Sequence, residues 1–267
     1  MQLIESLPTE VKMQLNTLII EPRLRTAWSS IDLGLVLGRM FWLRGFCLYL
    51  VVAIPVFALT RLIDDSYSML PYFILWWCKP LFERPILFFM SRELFSNKTS
   101  FSQTLGHFRE WLFSGIGWVL SIRRLSISRA MYAPITLLEK PSFGQYSQRA
   151  AVLGNKFSSE SVWLTIVLFH VENFISISLL VVFVMFFPEQ VDVSLAWLND
   201  LRLNNSYLDA AFLLVMAAIA PFYVAAGFML YISRRVELEG WDIEICFRDW
   251  MADYKGRSNT ELVSHEV

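Results

Sequence analysis

Long apolar runs constrain this chain more than any other feature, because a run longer than a soluble core helix must be covered by something other than water. The uncharged stretch 210–232 holds 23 residues, and about 20 suffice to cross the hydrocarbon core of a bilayer. Stretch 45–60 is shorter, at 16 residues. Arg44 and Arg61 flank it, and both can snorkel their charges toward the headgroups. Stretch 161–188 is long, with one internal acid, Glu172. Stretch 66–91 is apolar but interrupted near its middle by Lys79, Glu83 and Arg84, which Pro80 and Pro85 bracket. Prolines in a membrane helix mark kinks, tolerated where neighbouring groups satisfy the freed carbonyls. The expected fold is an all-α integral membrane bundle of about four spans.

Charge placement orients these spans. Of the 23 Lys and Arg, 19 fall in residues 1–44, 92–160 and 233–257. The two remaining loops are acidic, with Asp64 and Asp65 in one and Glu189, Asp192, Asp200 and Asp209 in and beside the other. Cytoplasmic loops carry the excess of Lys and Arg, so both termini are expected inside. Only 18% of residues are charged and 55% are hydrophobic, below the quarter charged that soluble domains average. The net charge of −1 offers no field for nucleic acid. Residues 1–44 are polar and mixed in charge, so no cleavable signal peptide is expected.

The division that follows is a cytoplasmic N-terminal segment (1–44), a helical membrane domain (45–256) and a disordered tail (257–267). The membrane domain includes the cytoplasmic middle segment 92–160. Within that segment, Phe101, Leu105, Phe108, Leu112, Ile116 and Val119 follow helical spacing. Residues 111–122 are too short to span, so an interfacial or re-entrant amphipathic helix is expected there, a hairpin of two short spans being the other reading. Residues 236–254 read as a second, acidic amphipathic helix. Such a face is repelled by anionic lipid and is expected to pack on the basic middle segment or on a protein partner.

Catalytic motifs are absent. There is no Gly-x-Ser-x-Gly, no His-Glu-x-x-His, no phosphate loop and no dinucleotide fingerprint. Cys47, Cys78 and Cys246 form no Cys-x-x-Cys, and His107, His170 and His265 share no metal-ligand spacing. No enzyme activity, cofactor or metal is expected.

The charges inside the apolar stretches are the sharp candidates: Lys79, Glu83, Arg84 and Glu172. Ionisable groups at membrane depth are costly and face a cavity or a partner. Lys79 and Glu83 are four apart on one helix and can meet. Glu172 lies about 17 Å from the start of its span and Lys79 about 18 Å from the inner end of its own, so these two can pair as well. Either a polar site for a substrate or proton, or an ion pair that fixes helix register, fits this pattern. His170 points away from Glu172 and is expected to bond between helices. Pro80-Leu81-Phe82 and Pro221-Phe222-Tyr223 each precede the inner end of a span, a weak sign of a duplicated two-span unit.

The last span and its exit read Ala220-Pro221-Phe222, Leu230-Tyr231, Arg235, Glu239-Gly240 and Asp242. This resembles the end of the glycerophosphoryl diester phosphodiesterase membrane-domain family, over about 25 residues. The chain is also similar in general character to multi-span inner-membrane proteins of proteobacteria. The resemblance implies a membrane module in a bacterial inner membrane and no hydrolase, since the family's catalytic barrel has no counterpart here. Arg234, Arg235, Glu239 and Asp242 then form a latch at the inner face. The functional expectation is a scaffold or assembly subunit with a membrane or cytoplasmic protein partner; the alternative is a small transporter or permease subunit.

Overall fold

The computed structural model describes residues 24–62, 69–95, 99–115, 117, 126–141, 143–186 and 206–240. Every regular element among them is helical: α1 (Ala27–Met40), α2 (Trp42–Thr60), α3 (Met69–Leu94), α4 (Phe101–Gly106), α5 (Phe108–Phe113), α6 (Arg129–Pro134), a π turn (Ile135–Glu139), α7 (Phe143–Phe186) and α8 (Ser206–Glu239). Three helical stretches are long and apolar enough to cross a membrane, Trp42–Thr60, Gly144–Val182 and Asp209–Glu239. Helix α3 has the length, at 26 residues, and carries the internal charges. Pro80 and Pro85 lie inside it without ending it.

Helix α8 is the centre of the bundle. Its residues from Ala220 to Arg234 are buried on almost every side, so it is a core helix as well as an apolar one. Helices α1 and α2 run antiparallel to it, end to end, with a break at Phe41. The Ser30 hydroxyl donates to Ser233 Oγ at 2.8 Å, Trp42 Nε1 donates to the Ala218 carbonyl at 2.9 Å, and Arg61 meets Asp209 at 2.7 Å. Gly34 permits this approach: a Cβ there would land on the Cα of Ala226. Ser30, Gly34 and Gly38 thus form a small-residue stripe on α1, the device by which membrane helices pack backbone to backbone. The N-terminal segment, expected only as a cytoplasmic extension, therefore supplies a helix to the core.

Helix α7 also runs antiparallel to α8, from Arg149 beside Glu239 to Thr165 beside Tyr223. Beyond these contacts its sides expose Phe174, Ile177, Val181 and Met185, an apolar surface of the kind that faces lipid.

The structure describes only parts of the two expected amphipathic helices. Residues 101–113 form two short helices separated at His107; Ile116 and residues 118–122 of the expected helix lie outside the described residues. Phe101 and Phe108 are exposed, while Trp111 is buried with Nε1 donating to the Thr104 carbonyl at 2.9 Å. A buried indole needs such a partner, and meeting it reorients the segment. Val236–Glu239 is the last turn of α8 itself; the rest of the expected C-terminal helix, with Asp242, lies outside the described residues.

Candidate functional site: a buried polar cluster

Lys79 and Glu83 stand one turn apart on α3, so their side chains leave the same face. They do not pair with each other. Lys79 reaches across to Glu172 of α7 in an ion pair that both residues bury. Glu83 accepts from Arg129 of α6 at 3.3 Å. Arg129 Nε donates to the Tyr223 hydroxyl at 3.0 Å, and that hydroxyl lies 3.2 Å from Thr165 Oγ1. One polar chain thus links α3, α6, α8 and α7. Tyr223 stands about 21 Å along α8 from Asp209, at 1.5 Å per residue. A segment counted as a basic loop in the sequence therefore carries Arg129 deep into the bundle. Gly227 allows this: a Cβ there would meet the Ala130 carbonyl, so α6 rests directly on the backbone of α8.

Burying a charge is tolerated only when an opposite charge and hydrogen bonds replace water. Lys79, Glu83, Glu172 and Arg129 meet this condition. Arg84 does not. Its Nη2 donates to the Ser114 carbonyl at the end of α5, while Nε and Nη1 are buried without a partner. No carboxylate lies within ion-pair distance of it among the described residues.

Two cavities flank Arg129 and Tyr223. One, of about 220 Å³, is lined by Pro80, Glu83, Arg84, Arg129, Tyr132 and Tyr223, among others. Burial pushes the Tyr132 phenol above its ordinary pKa. The other, of about 280 Å³, includes Lys79, Thr165, His170 and Glu172. His170 makes its hydrogen bond within its own helix, to the Ile166 carbonyl at 2.8 Å, and not to a neighbouring helix as expected. Among the described residues no three His, Cys, Asp or Glu side chains are placed to hold a metal ion.

At the C-terminal end of α8, two of the latch residues, Arg235 and Glu239, join a closed ring. Arg149 of α7 donates to Glu139 of the π turn at 2.7 Å and to Glu239 of α8 at 2.9 Å. Glu239 also accepts from Arg235 at 2.8 Å, Arg235 donates to the Tyr231 hydroxyl at 3.3 Å, and Tyr231 donates back to Glu139 at 2.6 Å. Arg234 stands apart from the ring. It pairs with Glu237 at 2.8 Å, and Glu237 is shared with Lys156. The π turn, a geometry frequent at functional positions, aims Glu139 at two helices at once.

Arg129, Tyr223, Thr165 and Glu139 were not among the sequence candidates. The signal that could have found Arg129 is the neighbouring small Ala130, which permits contact with Gly227. Comparison with models of protein families, with curated proteins and with solved structures gives no match.

Proposed function

We propose that this is a non-enzymatic, multi-pass protein of a bacterial inner membrane that scaffolds or assembles a membrane complex. In this reading the chain crosses four times, with both termini in the cytoplasm. Helix α3 supplies the fourth crossing, because Glu172 and Arg129 neutralise two of its internal charges. The observation that carries the reading is the commitment of five carboxylates to basic side chains of the protein itself. Glu83, Glu139, Glu172, Glu237 and Glu239 each hold a basic side chain from another segment. A general acid, general base or proton carrier needs a carboxylate that can exchange its proton with substrate or water. Cross-ties between helices instead make a fixed platform, which is what assembly with the bilayer and a membrane or cytoplasmic protein requires. The resemblance at 220–242 is in keeping with a membrane module.

The second reading, a small transporter or permease subunit, is favoured by the two cavities on either side of Arg129 and Tyr223. Native membranes solubilised in mild detergent separate the two. The scaffold reading expects the chain to migrate in a complex with a stoichiometric protein partner identified by mass spectrometry. A stable lone chain of 31.1 kDa contradicts it and favours transport.

A further inference from the structure

The groups lining the two cavities do not balance. Lys79, Arg84 and Arg129 bring three positive charges against two negative ones from Glu83 and Glu172. Each carboxylate has a basic partner already, so the surplus falls on the cavity of about 220 Å³, which Arg84 and Arg129 both line. Arg84 is about 5% exposed, and among the described residues its Nε and Nη1 have no acceptor; Nη1 of Arg129 is also buried without one. A guanidinium offers five N–H donors in a planar fork that matches phosphate and carboxylate oxygens. Buried donors without acceptors and a surplus charge together describe a pocket suited to an anion.

The rest of the lining fixes what kind of anion. Leu87, Ala130, Ala133, Leu137 and Val224 make the remaining wall largely apolar. A fully hydrated ion gains nothing from such a wall, whereas an amphiphile lays its chain along it while its head meets the arginines.

We propose that this cavity binds an anionic amphiphile, its phosphate head held by Arg84 and Arg129 and its chain on the apolar wall. The site needs the membrane setting but stands whether or not the chain scaffolds a complex. Bound there, the phosphate supplies the counter-charge that Arg84 lacks and ties α3 to α6.

The test is native mass spectrometry of the full chain purified in a neutral detergent and offered equal phosphatidylglycerol and phosphatidylcholine. Both lipids carry a phosphate, but the fixed cation of choline meets the surplus positive charge of Arg84 and Arg129, so phosphatidylglycerol should be retained about tenfold above phosphatidylcholine. Arg84→Gln should bring the two lipids to equal retention, while Arg92→Gln, which alters a basic residue outside the cavity, should keep the preference. If Arg84→Gln does not fold, Ala133→Phe narrows the same cavity from its apolar side and should lower phosphatidylglycerol retention alike. Displacement of the lipid by inorganic phosphate would mean that the head alone is the ligand, and the anion site stands. Equal retention of both lipids by the unaltered chain overturns the proposal. So does a preference that survives in the cavity variant, or one that Arg92→Gln abolishes.

Discussion

Lys79 and Glu172 show why a charge can sit in the middle of an apolar helix. Each is buried, and each is the other's counter-ion across α3 and α7. Removing one partner leaves the other uncompensated, which costs about 3–5 kcal/mol for buried pairs. Lys79→Met or Glu172→Leu alone should therefore lower stability by about that much. The double variant Lys79→Met with Glu172→Leu should recover most of the loss, because replacing a buried pair by apolar groups is often neutral. Thermal unfolding of the four proteins in detergent checks this. A double variant as unstable as the sum of its parts would contradict it. This pair was legible in the sequence because depth along a helix is arithmetic. Arg129 was not. In the sequence it is one more arginine of a basic segment, and only the contact of α6 with Gly227 places it beside Glu83 and Tyr223.

Among the elements, α1 is what sequence reading missed. A search for long uncharged runs passes over Ala27–Met40, because Asp32 and Arg39 interrupt it. Both prove to be exposed, on faces turned away from the contact with α8. The signal was the small-residue stripe Ser30, Gly34 and Gly38. Gly34→Val should force α1 off α8 and cost about 1–3 kcal/mol, the usual range for overpacking. Gly144→Ala, with open space around it, should leave the unfolding temperature unchanged or slightly raised, since alanine favours helix. Equal effects of the two substitutions would contradict the packing described. The inner ring gives a second test at this scale. Glu239→Lys sets a positive charge against both Arg149 and Arg235. A loss of about 1–2 kcal/mol lowers cellular abundance several-fold, so the protein's level in the membrane should fall. An unchanged level and unchanged protease resistance would contradict the latch. Arg235 and Glu239 were legible as latch residues only through the resemblance at the end of the last span. Glu139 was not, because its place depends on the π turn.

For the whole molecule, the antiparallel sequence of α2, α3, α7 and α8 and the separation of basic from acidic loops agree on one orientation. The long apolar helices were legible from composition, whereas α3 rests on partners that no run length reveals. A buried cluster at membrane depth requires α3 to cross the membrane despite its charges. Leu62 and Gly144 bracket α3 and the middle segment, and both are exposed. In a background with Cys47, Cys78 and Cys246 replaced by serine, the Leu62→Cys and Gly144→Cys variants can each be treated with a membrane-impermeant maleimide in spheroplasts. The Leu62→Cys variant should label in intact spheroplasts and the Gly144→Cys variant only after the membrane is opened. Labelling of both from the same side would mean that α3 does not cross, and the four-span account would fail.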